Sequence, residues 1–181
     1  MALNFAVISQ LAAMAVLKIL HLPDPCLRKK TLPVTRFDNA LQQLIEDMFE
    51  TMYAAPGVGL AANQVGVSLR LAVMDCADDK NQPEPLVLVN PEIVETADAQ
   101  EIEEGCLSVP GIFDKISRYS RVRMKALDRH GNPFEINAEG LKAQAIQHEI
   151  DHLDGKLYID YLSSLKRERI KKKLLKQAKD K

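Results

Sequence analysis

Residues 147–155, with the sequence QHEIDHLDG, constrain the fold more than any other part of the chain. His148 and His152 are four residues apart, so on an α-helix both imidazoles project from one face, one turn apart. Glu149 follows about 100° further around the axis, which places a carboxylate beside a bound metal without making it a ligand. The pattern therefore predicts a helix with two nitrogen ligands and a general base. The alternative is an exposed helical face with two histidines.

Composition and charge limit the class of protein. A chain of 181 residues suits one domain with a sizeable core. The formal net charge of -1 argues against a surface built as a whole to bind nucleic acid. The three cysteines, Cys26, Cys76 and Cys106, have no paired spacing, which favours free thiols or metal ligands in a reducing compartment.

The first twenty residues are largely apolar, but they do not have the pattern of a signal peptide or a membrane span. No Lys or Arg precedes Lys18, and polar residues interrupt the apolar run. We therefore predict a cytoplasmic protein. We expect residues 1–13 to be a leader or a vector-derived extension, and residues 14–181 to be the folded domain, which begins as a strand near Met14.

Hydrophobic periodicity predicts the remaining elements. A helix is expected over residues 37–54, with Asp38 or Asn39 as its N-cap. The metal helix is expected over 141–154, followed by Gly155 in the C′ position. Short runs of alternating or β-branched residues predict the strands and one hairpin. These lie at residues 69–75, 86–89, 93–95 and 121–136. After an extended piece over 156–161, a final helix is expected over 163–178.

The final helix is strongly basic, with only a sparse apolar stripe. Its cationic residues are Lys166, Arg167, Arg169, Lys171, Lys172, Lys173, Lys176 and Lys179. Composition alone favours a solvated face at the end of the chain. The second interpretation is an electrostatic contact with a polyanion such as RNA.

A catalytic site of the zinc type needs three protein ligands and one open position. No histidine follows His152, and the later acids, such as Asp160 and Glu168, lie in the exit segment or the basic tail. A Cys106 thiolate would complete a Cys-His-His set. The alternative for Cys106 is a small buried apolar residue, which is how we interpret the other two cysteines.

Three motifs together resemble those of bacterial peptide deformylases, enzymes that remove the N-formyl group from nascent chains. In the family's order they are GVGLAANQ (57–64), EGCLS (104–108) and QHEIDHLDG (147–155). The resemblance extends from about Met14 to the C-terminal helix, and Asn63 occupies a variable position. It implies an α+β fold: a compact single domain with antiparallel strands packed around a central metal-binding helix, and with a C-terminal helix.

The resemblance also implies roles for single residues. Cys106, His148 and His152 would be the metal ligands, and Glu149 would be the catalytic acid–base. The native metal of the family is usually Fe²⁺, although Zn²⁺, Ni²⁺ or Co²⁺ can occupy the site. In bacterial members with a basic C-terminal helix, this helix docks on the ribosome, which favours the RNA interpretation of the tail.

The remaining implied roles concern the substrate. The Gln64 side-chain amide and the Leu107 backbone N–H would donate to the formyl oxygen, and Gly59 would belong to the strand edge along which the peptide lies. A pocket for the methionine side chain could be lined by apolar residues that could equally be plain core: Val58, Leu60, Leu107, Ala145 and Ile146.

Arg118 would pair with Glu104 and orient the second motif, unless the two form only a surface ion pair.

The expected reaction is hydrolysis of the amide bond between the formyl group and the N-terminal methionine, with release of formate. Water on the metal would attack the formyl carbon, with Glu149 as general base and then general acid. Two other classes remain open. A zincin-like endopeptidase would cleave internal peptide bonds, and a metal-binding domain on the ribosome would catalyse nothing.

Overall fold

A five-stranded antiparallel sheet organises the computed structural model, which describes residues 15–77 and 82–179. Strands adjacent in sequence are adjacent in the sheet. The strands are β1 (Gly59–Ala61), β2 (Leu71–Asp75), β3 (Pro85–Cys106), β4 (Val109–Leu127) and β5 (Pro133–Glu139). The helices are α1 (Asn39–Ala54), α2 (Gly140–Leu153) and α3 (Ser164–Lys179), with 3-10 turns at Pro25–Arg28, Ala62–Val65 and Tyr158–Tyr161. The predicted α+β class is confirmed.

Both predicted core helices form, and their ends follow from local chemistry. The Asp38 carboxylate accepts a hydrogen bond from the Leu41 N–H, so α1 begins at Asn39 and Asp38 is its N-cap. Gly155 has a φ of 74° directly after α2, which is the left-handed C′ conformation expected there.

No helix in the described part of the chain is long and apolar enough to span a membrane.

Helices cover both faces of the β1–β2 end of the sheet. Along β2, Leu71 and Val73 belong to the cluster around α1, whereas Ala72 and Met74 belong to the cluster around α2. This alternation is the period of two that a strand imposes on its side chains. Because both faces are covered, these four residues are fully buried. The predicted metal helix is thus packed firmly against the sheet.

The predicted strand at residues 93–95 is confirmed, but the prediction missed the extended structure that continues over 96–106 and 109–120. The structure has one 22-residue strand, β3, with irregularities near Asn90 and Val94, paired with β4 down to Cys106 opposite Val109. Several acidic residues of β3 have partners across the hairpin on β4. Glu92 pairs with Lys125 at 3.2 Å, and further ion pairs join Glu95 to Arg123 and Asp98 to Arg121.

Two shorter predictions also fail. Residues 156–161 are not extended, because Tyr158–Tyr161 forms a 3-10 turn. Residues 1–13 and Met14 lie outside the described residues, and residues 15–20 do not form a strand. Instead, Leu17 N–H donates to the Thr51 hydroxyl at 2.8 Å, and Leu20 N–H donates to the Gln64 carbonyl at 2.7 Å. This segment is therefore held to the domain by hydrogen bonds from its backbone N–H groups.

The left-handed end of α2 gives a stability prediction. A Cβ on Gly155 would lie 2.6 Å from the Arg28 carbonyl oxygen, in addition to adopting a positive φ. Gly155→Ala should therefore lower the free energy of unfolding by about 2–4 kcal/mol, measured by urea denaturation. Gly140→Ala is the matched control, because Gly140 has a φ of 56° but no atom within 4 Å of a Cβ. It should cost only about 1 kcal/mol, and equal losses would show that no steric conflict exists.

Candidate metal centre

The structure brings the three predicted ligands together at one point. The Cys106 sulfur lies 3.1 Å from His152 Nε2, which lies 3.2 Å from His148 Nε2. All three candidate ligand atoms lie within 4.8 Å of one another. Cys106 ends β3 at the tight turn into β4, and the histidines occupy one face of α2. The turn and the helix therefore supply ligands from distant parts of the chain.

The donor set fits a divalent cation. These separations suit neighbouring ligands of one ion, whose bonds to sulfur and nitrogen are about 2.0–2.3 Å long. A buried carboxylate oxygen next to the ligands, Glu149 Oε2, has no hydrogen-bond partner among the described residues. Such unpaired burial is costly, so the site is suited to hold an occupant.

The electrostatics of the site also favour a cation. Burial alone would lower the pKa of His148, but Cys106 and Glu104 beside it raise that pKa well above the ordinary value. The pKa of His152 is well below its ordinary value, mainly because of burial and secondly because of the charge on His148. The same negative surroundings that hold a proton on one imidazole would attract a metal ion in its place.

Glu104 fixes the orientation of one ligand. Its Oε1 lies 2.5 Å from His148 Nδ1. Burial alone would raise the pKa of Glu104, but hydrogen bonds from His148 and Arg118 lower it to about 2. An ionised carboxylate only accepts, so Nδ1 carries the hydrogen and Nε2 is the nitrogen that faces Cys106 and His152.

Arg118 pairs with Glu104, as one of the two interpretations predicted. Arg118 Nε and Nη2 donate to the two Glu104 oxygens at 3.0 and 2.8 Å. The alternative of a surface ion pair is wrong, because the side chains are only 4% and 3% exposed. Arg118 Nη1 also donates to Asp151 at 2.6 Å.

Gln147 has a structural contact, since its amide exchanges hydrogen bonds with the backbone of Tyr119.

Gln64 lies beside the sulfur with a fixed orientation. Its Oε1 accepts from the Ala61 N–H at 2.8 Å, which turns Nε2 toward Ser108 Oγ at 3.1 Å and Cys106 Sγ at 3.7 Å. Ser108 N–H also donates to the sulfur at 3.3 Å. The Gln64 amide is thus an immobilised N–H donor at the edge of the centre.

Glu149 is buried against the first motif. A Cβ on Gly59 would overlap Glu149 Oε1, so only glycine lets the β1 backbone approach this carboxylate. Burial raises the pKa of Glu149 to about 7. The carboxyl group is therefore poised to accept and to return a proton near neutral pH.

A cavity of about 500 Å³ opens beside the centre. Of the residues predicted for a substrate pocket, Val58, Gly59, Leu107 and Ala145 line it. Leu60 and Ile146 do not, because both are fully buried in the core clusters. Sequence reasoning missed other lining residues: Pro110, Ile112, Phe113, Leu141 and Gln144. Their one signal was proximity to the second and third motifs.

Comparison with known proteins gives a consistent result. The polypeptide deformylase family model matches residues 16–168. The peptide deformylase of Pseudomonas aeruginosa is 59% identical over 165 residues, which cover 91% of this chain and 97% of that protein. The structure of a peptide deformylase from Legionella pneumophila superposes with a TM-score of 0.86 at 57% identity, covering 91% of this chain and 96% of that chain.

A second solved structure is that of a complex. The peptide deformylase from Ehrlichia chaffeensis, in complex with actinonin, has a TM-score of 0.87 and 41% identity. The match covers 91% of this chain and 98% of that chain. The shared architecture thus extends over nearly all of both molecules.

Removal of the sulfur tests the donor set. Cys106→Ala leaves two imidazoles, so the purified variant should contain much less metal per chain by elemental analysis, whereas the native protein should contain one ion. Cys76→Ala is the control, because burial raises the pKa of Cys76 to about 11 and its sulfur is not in the cluster. Unchanged metal content in Cys106→Ala would contradict the proposed ligands.

Proposed function

The chain belongs to the polypeptide deformylase family, and we propose that it removes the N-formyl group from the formylmethionine of nascent polypeptides, releasing formate. The observation that supports this most is the cluster of Cys106, His148 and His152 beside Glu149 at the wall of the cavity. It combines a metal site, a general base and space for a substrate. Because nascent chains are made in the cytoplasm, we propose that location for the protein.

A divalent metal held by Cys106, His148 and His152 would acidify a water molecule and polarise the formyl oxygen. We propose Fe²⁺ as the native ion, as in the family that the three motifs resemble. A site with one thiolate and two imidazoles also suits Zn²⁺, Ni²⁺ and Co²⁺.

Glu149 is the proposed acid–base. It takes a proton from water as the new bond to the formyl carbon forms, and it delivers that proton to the amine as the bond from carbon to nitrogen breaks. A pKa of about 7 suits both transfers. Its Oε2, which has no hydrogen-bond partner among the described residues, is the oxygen available to the water and the amine.

Gln64 and Leu107 are the proposed donors to the formyl oxygen. Negative charge develops on that oxygen as its carbon becomes tetrahedral. Gln64 Nε2 lies 3.7 Å from the Cys106 sulfur, so one of its N–H bonds is directed toward the metal centre where this charge would develop. The Leu107 backbone N–H, next to Cys106 in the chain, would be the second donor. Such fixed donors are worth about 10²–10³ in rate each.

The substrate peptide is proposed to lie along β1. This strand is at the edge of the sheet, so one side of its backbone is open to pair with an extended peptide. Gly59 in β1 lines the cavity, which places a paired peptide beside the metal centre. The methionine side chain would enter the apolar part of the cavity near Val58, Leu107 and Ala145.

The basic helix α3 is proposed to dock on the ribosome. Ile170 and Leu174 are buried, so they fix α3 to the domain and leave its opposite face in solvent. Arg169, Lys172 and Lys176 lie on that face and are exposed, so it is cationic. A fixed cationic face suits the phosphate backbone of RNA, and docking there would bring the active site to its substrate.

Glu149→Ala tests the reaction. The variant should retain its metal, because Glu149 is not among the ligand atoms, and should lose about 10²–10⁴-fold in formate release from formyl-Met-Ala-Ser. Formate and bound metal are measured anaerobically in the same sample. Glu101→Ala is the control, since Glu101 is exposed and does not line the cavity.

Three results would reject the proposal. Full turnover by Glu149→Ala would remove this residue from the mechanism. Native protein that cleaves casein but releases no formate would be an endopeptidase. Metal-loaded native protein that does neither would be a non-catalytic metal-binding domain.

Charge reversal in α3 tests docking. A variant with Arg169, Lys172 and Lys176 changed to Glu should bind ribosomes at least about tenfold more weakly in co-sedimentation. Deformylation of free peptides should not change, because these residues do not line the cavity. The control changes Lys29, Lys30 and Arg36 to Glu, which alters net charge equally. An equal loss with the control would show that α3 is not the docking surface.

A further inference from the structure

Tyr161 makes contacts that the proposed reaction does not use. It closes the 3-10 turn Tyr158–Tyr161, just before α3, and is half-exposed. Its hydroxyl donates to both carboxylate oxygens of Asp151, at 2.9 Å each. Its ring lies against Arg118, whose Cζ is 4.9 Å from the ring centroid. The Tyr161 side chain thus contacts both members of the Asp151–Arg118 ion pair.

These contacts continue inward to a predicted metal ligand. Asp151 accepts from Arg118 Nη1 at 2.6 Å, and Arg118 donates in turn to both oxygens of Glu104. Glu104 then pairs with His148 Nδ1 at 2.5 Å. An unbroken series of hydrogen bonds therefore runs from the Tyr161 hydroxyl to the ring of His148.

The position of Arg118 depends on both of its carboxylates. The guanidinium is rigid and planar, so any displacement of Asp151 shifts all of its hydrogen bonds together. Asp151 is the more exposed of the two acids, at 13% against 3% for Glu104. Tyr161 covers this more exposed carboxylate. Its hydroxyl is hydrogen-bonded to Asp151, and its ring shields the Arg118 guanidinium from water.

We propose that Tyr161 is a positioning residue for the metal centre: it holds the Asp151–Arg118–Glu104 series in the geometry that orients His148 and thereby strengthens metal binding. The proposal rests on the metal site of the proposed function, but not on its reaction. Residues that orient a ligand from outside the coordination sphere typically contribute about 10–100-fold to metal affinity.

Tyr161→Phe is the main test. It removes the hydroxyl and keeps the ring over Arg118. We expect the dissociation constant for Zn²⁺, measured by competition with a chromogenic chelator, to rise by about tenfold. Tyr161→Leu, which also removes the ring, should raise it further.

The chain offers a closely matched control in Tyr53. It is 48% exposed, against 50% for Tyr161, and its hydroxyl also donates to a carboxylate, that of Asp75, at 2.7 Å. Tyr53→Phe removes an equivalent hydrogen bond outside the series and should leave Zn²⁺ affinity unchanged. If the two Tyr→Phe variants bind Zn²⁺ equally well, the proposal is wrong.

A double-mutant cycle tests the route of the effect. In an Asp151→Ala background, or Asp151→Asn if the first variant does not fold, Tyr161→Phe should cause little further loss of Zn²⁺ affinity. A full additional loss would show that Tyr161 does not act through Asp151, and would overturn the proposal. Formate release is measured separately. Its absence from Fe²⁺-loaded native protein, measured anaerobically, would reject the proposed reaction while leaving this test intact.

Discussion

The buried ion pair of Arg118 with Glu104 is the interaction on which the site depends most. Glu104 lies on β3, Arg118 on β4 and its second partner, Asp151, on α2. The guanidinium therefore joins the hairpin that carries Cys106 to the helix that carries the histidines. Loss of one member from a buried pair typically costs about 3–5 kcal/mol, because the remaining charge has no partner. The same bonds that secure the hairpin also orient His148.

The site is polar, buried and incompletely paired, which is unfavourable for stability by itself. Glu149 is 3% exposed, yet one of its oxygens has no partner in the described part of the chain. Apolar packing on both sides of β1 and β2 offsets this cost, since α1 covers one face of the strands and α2 the other. A rigid frame of this kind allows a carboxylate to keep a raised pKa without drawing water into the core.

The sequence predicted the parts of the site that depend on local periodicity. The spacing of His148 and His152 determines their shared face, and Asp38 and Gly155 mark helix ends through their own backbone contacts. The long β3–β4 hairpin was not predicted, because charged residues of β3 pair with residues on the neighbouring strand β4, which are distant in the sequence. Leu60 and Ile146 were assigned to the pocket because a motif does not reveal which side of its strand or helix faces the cavity. Tyr161 carries no local signal at all.

The density of contacts along residues 147–155 explains why this motif is so specific. Successive residues of α2 point to different neighbours, so one short segment meets β4, the metal centre, the core and the N-terminal segment in turn. The Asp154 carboxylate accepts from Arg70 at 2.8 Å, the Leu153 carbonyl accepts from the Thr31 hydroxyl at 2.9 Å, and Gly155 lies against Arg28. A helix that merely presented two histidines would tolerate many residues between them. Here each intervening residue is also constrained by the fold, so the chemistry and the packing of the domain select the same nine positions.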